Sequence, residues 1–195
     1  SDVCSADLEC RRAIALDPRC AEAWLTLGLA CKRRGDLQEA EAACRQALVL
    51  RPRYAAAASN LGSALAAQER WSEAVEAFQR AAAEDPSLPE APFNLGVALH
   101  QSGRLDEAVD AYREALRRRP EYGEALENLA GAYKALGRRP EAAALFEEAA
   151  RRKADPSTAL YSLANTLAEL GDETRALATF TVATARRPEQ WLWKQ

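Results

Sequence analysis

The stretch AEAWLTLGLACKRRGDLQEAEAACRQALVLRPRY, residues 21–54, decides the fold, because its pattern returns every 34 residues along the chain. Leu27, Leu61, Leu95, Leu129 and Leu163 share one register. Ala40, Ala74, Ala108, Ala142 and Ala176 share another. A fixed period of this length marks stacked helix pairs, in which each unit buries its apolar face only on its neighbours. Apolar residues on either side of Gly35 follow helical spacing, which predicts a first helix, A, of about 14 residues and a second, B, of about 13.

Full units are expected at 21–54, 55–88, 89–122, 123–156 and 157–190, beginning at Ala21, Ala55, Pro89, Gly123 and Ser157. Residues 1–20 supply only a B helix, since Ala6, Cys10, Ala13 and Pro18 fall in that register, and 191–195 begin a further A helix. The expected fold class is therefore all-α, one solenoid array of antiparallel helix pairs over 1–195. The chain holds no methionine and carries half-units at both ends, as expected of a fragment or a processed chain.

Punctuation supports the helix limits. Gly35, Gly103, Gly137 and Gly171 stand where helix A must stop, and glycine accepts the left-handed conformation that closes a helix. Glu69 takes that place in the second unit, so a strained or different turn is expected there. Pro18, Pro52, Pro86, Pro120 and Pro188 follow helix B, where no further backbone donor is needed. The fourth unit has Ala154 at that register and Pro156 two residues later, which predicts a longer B helix or a re-aimed linker. Gly28, Gly62, Gly96, Ala130 and Ala164 are expected to face the alanine register from 40 to 176 and let helices A and B approach closely. Ala47, Ala81, Ala115, Ala149 and Ala183 form a third small register, expected to touch the next unit.

Charge narrows the function. Twenty-six basic and 29 acidic residues give a net charge of −3, without the clustered basic surface that nucleic acid requires. No apolar run approaches the roughly 18 residues of a membrane span, and the N-terminus has no signal pattern. The expected location is cytoplasmic. Abundant alanine and the preference for arginine over lysine point to a GC-rich genome such as a bacterial one. All five cysteines, Cys4, Cys10, Cys20, Cys31 and Cys44, lie in the first 44 residues, without a C-x-x-C pair. The single histidine, His100, is distant in sequence, so the thiols are expected to fill apolar slots with no metal and no disulfide. No phosphate loop, nucleophile elbow or metal motif appears, and the chain is expected to be no enzyme and to need no cofactor.

The pattern from Trp24, Leu27 and Gly28 through A-x-x-x-F and A-x-x-x-x-P resembles the tetratricopeptide repeat. Phe78, Ala81 and Pro86 complete it in the second unit, and Tyr112, Ala115 and Pro120 in the third. The resemblance covers the whole chain. It implies a right-handed superhelix whose A helices line a concave groove, whose B helices form the back, and which binds a peptide or protein partner.

On such a superhelix the second, fifth, sixth, ninth, twelfth and thirteenth residues of helix A are expected to face the groove. The sixth reads Thr26, Asn60, Asn94, Asn128 and Ser162, and Asn165 follows Ser162 by three residues on the same face. Asparagine costs up to about 0.7 kcal/mol against alanine inside a helix, so its recurrence needs a reason. A ladder of amides that grips an extended peptide backbone is one. A bond between neighbouring helices is the other. Phe93 and Tyr161 offer apolar anchors on a polar surface, and His100 and Lys134 contribute titratable or cationic groups beside Lys32 and Arg33. Glu22, Glu90, Glu124 and Glu127 are read first as acids favouring helix N-termini.

The Asn-Leu-Gly motifs at 60–62 and 94–96 are also similar to the repeat arm of O-linked N-acetylglucosamine transferases, which makes a substrate-selecting arm of a larger enzyme the alternative function. The family's carboxylate clamp needs lysine and asparagine where this chain has Leu25 and Leu29, and basic residues where it has Phe93 and Tyr161. The expected partner is thus a protein or peptide, with no nucleic acid and no membrane. The opening B helix and Trp191, Leu192 and Trp193 at the other end are expected to favour head-to-tail self-association, unless Trp191 and Trp193 fold back onto the last B helix as a cap.

Overall fold

The computed structural model describes residues 2–87 and 90–186. Among them are eleven helices: α1 (Asp2–Leu16), α2 (Ala21–Arg34), α3 (Leu37–Leu50), α4 (Ala55–Ala67), α5 (Trp71–Glu84), α6 (Glu90–Gln101), α7 (Leu105–Arg118), α8 (Gly123–Ala135), α9 (Arg139–Arg152), α10 (Ser157–Glu169) and α11 (Glu173–Arg186). Even-numbered helices are the A helices and odd-numbered ones the B helices. Pro89, Pro188 and Trp191–Trp193 of the sequence reading lie outside the described residues, as does the side chain of Cys4.

The chain forms two compact units, residues 1–102 and 103–195. In the first, α1 to α6 pack in chain order, and α2 also touches α4 as α4 touches α6. In the second, α7 to α11 pack in chain order, with α8 on α9 and α10 on α11 as the tightest pairs. Each is an all-α stack of antiparallel helix pairs, the tetratricopeptide-like arrangement.

The A-to-B turns share one device. Gly35 has φ 89°, its N–H bonds Lys32 O at 3.1 Å, and Asp36 N–H bonds Cys31 O at 3.0 Å. These bonds satisfy carbonyls that the ending helix leaves open. Gly137 and Gly171 repeat the pattern with φ 77° and 83°. Glu69 adopts the same turn with φ 59°, its N–H on Ala66 O at 2.9 Å and Arg70 N–H on Leu65 O at 3.0 Å. The geometry is therefore conserved in the second turn, and a residue with a Cβ carries its strain.

Close approach of A and B involves more than the alanine register. A Cβ on Gly28 would lie 2.8 Å from Cys44 Sγ and 3.2 Å from the Ala40 carbonyl. A Cβ on Gly62 would meet the Phe78 ring at 2.8–3.0 Å. Cys44 and Phe78 share the register that the sequence reading assigned to apolar slots, and the small residue of helix A makes room for them. Ala47, Ala81, Ala115, Ala149 and Ala183 are all fully buried. Ala149 packs with Leu126 and with Ala159 of the following A helix. Cys10 and Cys31 join Leu27, Ala40, Ala43 and Ala64 in one core cluster. Burial pushes the Cys31 and Cys44 thiols up to about 11.

The fourth repeat re-aims its linker. Helix α9 spans 14 residues, like α3, α5 and α7, so it is not lengthened. Lys153 instead turns back over Gly123, where a Cβ would sit 2.6 Å from Lys153 Cγ. Its Nζ donates to Glu127 and to Thr158 Oγ1. Asp155 Oδ1 then accepts from the N–H and hydroxyl of Ser157 at 3.1 and 2.7 Å and starts α10.

Candidate functional site

Each A helix leaves one stripe open. Its second, sixth, ninth and thirteenth residues follow the i, i+4, i+7 and i+11 spacing of a single helix face. On α2 these are Glu22, Thr26, Leu29 and Arg33, all exposed or half-buried. The fifth and twelfth residues lie at the side of that stripe. Leu25, at the fifth position of α2, is buried and does not face the groove, whereas Ser59, Phe93, Glu127 and Tyr161 at the same position are half-buried.

In the first unit the stripe brings Thr26, Asn60 and Asn94 onto one face of α2, α4 and α6. Thr26 is exposed and its hydroxyl donates to Glu22 O of its own helix at 2.8 Å. Asn60 is half-buried and its Nδ2 donates to Ala56 O at 2.8 Å. One N–H and Oδ1 of that amide remain beyond this bond. Asn94 is half-buried on α6. The intrahelical bonds give Thr26 and Asn60 a local role that offsets their poor helix propensity. Phe93 and His100 are half-buried beside the stripe, and burial lowers the imidazole pKa below its usual value. Lys32 and Arg33 have no ion-pair partner among the described residues.

In the second unit the stripe carries Asn128 on α8 and Ser162 and Asn165 on α10, all half-buried. Ser162 accepts through its carbonyl the Thr166 hydroxyl at 2.7 Å. Here the charges close on one another. Lys134 Nζ meets Glu169 Oε1 at 2.8 Å, and Arg139 Nε meets Glu169 Oε2 at 2.8 Å. The hydrogen bonds from Lys134 and Arg139 hold the Glu169 carboxyl below the usual glutamate range. Tyr161 is not a free anchor. Its ring stands edge-on to Phe180 of the paired B helix, with centroids 5.0 Å apart and planes at 71°.

Sequence reasoning named Lys134 and Glu127 but missed their partners Glu169 and Lys153, and Arg139, which shares Glu169 with Lys134. The signal was present: an acid at the thirteenth position of one A helix follows a cation at the twelfth position of the A helix before it. Leu29 and Val97, half-buried at the ninth position, were also left out of the candidate set. They give the first unit's stripe an apolar element between its polar ones.

No helix among the described residues is long and apolar enough to cross a membrane. No group of three or more His, Cys, Asp and Glu residues suited to a metal occurs among them.

The tetratricopeptide repeat model matches residues 10–55, 45–89, 59–123, 93–157 and 127–190. Among solved structures, the chain is similar to YrrB, described as a TPR protein with an unusual peptide-binding site. Identity is 20%, the TM-score is 0.77, and the match covers 92% of this chain and 93% of that one. PilW, described as a widely conserved type IV pilus biogenesis factor, matches at 23% identity and a TM-score of 0.85, over 96% of this chain and 87% of its own. PilF of Pseudomonas aeruginosa matches at 20% identity and a TM-score of 0.81, over 96% and 86%. At these identities the likeness concerns the fold. A sequence comparison with curated proteins found no significant match.

Proposed function

The chain belongs to the tetratricopeptide repeat family, and from that premise we propose that it is a non-catalytic scaffold that holds an extended peptide or partner segment on the open face of its A helices. In this reading the array comprises a half repeat at 1–20, full repeats at 21–54, 55–88, 89–122, 123–156 and 157–190, and the start of another helix at 191–195.

The observation that carries the reading is the recurrence of a polar side chain at the sixth position of consecutive A helices. Asn60 and Asn94 stand on α4 and α6 in the first unit, next to the shallow surface of Leu29, Ser63 and Val97. In the second unit Asn128 and Ser162 hold the sixth position of α8 and α10, and Asn165 follows Ser162 by three residues on the same face. Amides provide both donors and acceptors, so they accept a peptide backbone with broad tolerance of its side chains. Selectivity then falls to the flanking groups: Lys32, Arg33, Phe93 and His100 in the first unit, and Lys134 and Tyr161 in the second. Lys134 is already engaged by Glu169 and Tyr161 by Phe180, whereas Lys32 and Arg33 of the first unit have no ion-pair partner among the described residues. YrrB, a fold relative with a peptide-binding site, supports the class of ligand.

Each neutral hydrogen bond contributes about 0.5–1.5 kcal/mol net. A single Asn→Ala change therefore weakens binding by roughly twofold to tenfold, and combined changes at Asn60, Asn94, Asn128 and Asn165 weaken it severely. The test is to capture a partner with the full chain, map the bound segment to a peptide, and measure its affinity for the single and combined variants. Unchanged affinity in the fourfold variant rejects the amide face as the binding surface.

A further inference from the structure

The turn between α4 and α5 departs from the other turns at two places that the peptide reading leaves unused. Gly35, Gly103, Gly137 and Gly171 close the other A helices, and Glu69 holds the same left-handed conformation with φ 59°. A side chain in that conformation strains the backbone, and strain of this kind gathers at ligand-binding positions. Two residues on, Trp71 stands where Leu37 and Leu105 begin α3 and α7. Those leucines are half-buried, as Trp71 is, so an aliphatic side chain fills this register. Glycine and leucine complete the turn in the first repeat. The second repeat carries a carboxylate and an indole in their place.

Both open onto one cavity of about 390 Å³, lined by Glu69, Arg70, Trp71, Ser72, Glu73 and Ser102. Its charged groups differ in what they already hold. Arg70 meets Glu41 and Glu73 at 2.6 Å each, and Glu73 also lies 3.6 Å from Arg45. Glu69 is exposed and has neither an ion pair nor a side-chain hydrogen bond among the described residues. The Trp71 indole N–H has no acceptor among them, whereas Nε1 of Trp24 donates to Pro18 O at 3.0 Å. Ser102 Oγ donates to Leu99 O at 2.9 Å and keeps its acceptor capacity. The cavity therefore presents one unpaired carboxylate, one unpaired N–H donor and an indole ring.

These features select the ligand together. An anion is disfavoured, because two carboxylates border the cavity against one guanidinium that is already bridged. Glu73, at the third residue of α5, also answers the positive end of that helix. An apolar side chain leaves both the carboxylate and the indole N–H unserved. An ammonium serves the carboxylate only as a point charge. A guanidinium is planar, offers paired N–H donors to a carboxylate and stacks on an indole. The indole N–H still needs an acceptor, which a guanidinium lacks and a main-chain carbonyl beside it supplies. We propose that the α4–α5 turn binds an arginine side chain of a partner polypeptide, with Glu69 pairing the guanidinium, Trp71 stacking on it, and the Trp71 N–H donating to a main-chain carbonyl of the same segment. Glu69 stays, although glycine would relieve the turn, because this contact needs its carboxylate. The site lies at the turn and stands independently of the amides on the A-helix face.

The probe is the peptide acetyl-Gly-Ser-Arg-Ser-Gly-amide, titrated into the isotope-labelled full chain while the Trp71 indole N–H is followed by heteronuclear NMR. A saturable shift of that signal is expected, with the Trp24 signal unmoved. Peptides with citrulline or lysine for arginine are expected to bind at least about fivefold more weakly. Glu69→Gln keeps the shape of the side chain and is expected to weaken binding by about fivefold. Glu69→Gly is expected to weaken it at least as much while raising the thermal midpoint, a split that a purely structural role would not produce. Trp71→Leu, followed at the Ser72 amide, is expected to abolish binding with an unchanged far-UV CD spectrum. Glu76→Gln alters an exposed carboxylate of α5 outside the cavity and is expected to leave binding unchanged. An unmoved indole signal, equal affinity for the citrulline or lysine peptide, or full binding by Glu69→Gln overturns the proposal. So does methylguanidinium binding as tightly as the peptide, which makes the site one for a small cation, or a shift that inorganic phosphate produces and the peptide does not.

Discussion

Cys44 and Phe146 occupy one register in different units, and both are buried against the same backbone arrangement. The first two members of that register are thiols, Cys10 and Cys44, and the later ones are Phe78, Tyr112, Phe146 and Phe180. The surfaces diverge in parallel. Leu8 on α1 and Val49 on α3 are exposed apolar residues, in registers where α7 and α9 place Asp110, Arg117 and Arg151. On the A-helix face, Lys32 and Arg33 have no ion-pair partner among the described residues in the first unit, whereas Lys134, Arg139 and Glu169 close on one another in the second. The alanine registers at the helix contacts set the backbone spacing and hardly vary. The slot and the outward registers are free to change, and with them the chemistry that each unit presents.

The comparison is broken most directly in the slot. Phe146→Ala is expected to cost about 3–5 kcal/mol, since a large buried ring leaves a cavity that small neighbours cannot fill. Cys44→Ala removes little more than one methylene-sized group and is expected to cost about 1 kcal/mol. Urea unfolding followed by far-UV CD checks both; equal losses would show that slot size does not distinguish the two ends.

A smaller effect is expected on the opposite side of the slot. Gly62→Ala drives a Cβ into the Phe78 ring at 2.8–3.0 Å and is expected to destabilise by about 1–3 kcal/mol despite the better helix propensity of alanine. Pairing it with Phe78→Leu should recover part of the loss in the same unfolding assay if the clash is the cause.

The turns give a smaller change of opposite sign. Glu69 occupies a left-handed position that glycine fills at residues 35, 103, 137 and 171. Glu69→Gly is expected to stabilise the chain by about 1 kcal/mol or less, the relief of strain exceeding the added flexibility of the unfolded chain. Glu69→Gly in thermal unfolding should raise the midpoint, and a lowered midpoint would show that the turn is unstrained.

The smallest effect is electrostatic and confined to exposed groups. Bonds from Arg117 and Arg118 hold the Glu114 carboxyl at about 2. Its folded pKa is depressed, so the stabilising contribution is present above the ordinary glutamate value and is lost as pH falls through about 2. NMR titration of the side-chain carboxyl should place its midpoint well below the ordinary glutamate value, and a midpoint at that value would show that the two arginines do not hold it. Exposed pairs of this kind add little to stability.

The fold was legible because the repeat states the same helix pair several times over. Leu27 to Leu163 and Ala40 to Ala176 carry the helical period through every unit, and the left-handed turns follow from glycine placement. Glu69 was readable as the exception but not as a residue that keeps the glycine geometry. The polar register at Thr26, Asn60, Asn94, Asn128 and Ser162 was legible too, and its members lie on the open stripe of their helices. Its hydrogen bonds were not, because a hydroxyl or amide chooses between its own helix and a neighbour according to local distances.

The periodic apolar and small residues thus determine, from sequence alone, that the chain builds stacked helix pairs, since burial of a recurring stripe admits few other solutions. Tertiary structure decided which of the outward groups remain available. Leu25 was buried, Tyr161 was turned onto Phe180, Lys134 was occupied by Glu169, and Lys153 was folded over Gly123 to reach Glu127. Those outcomes depend on atoms brought together from different helices. Position within one period fixes a side chain's face, but only packing between periods fixes its partner.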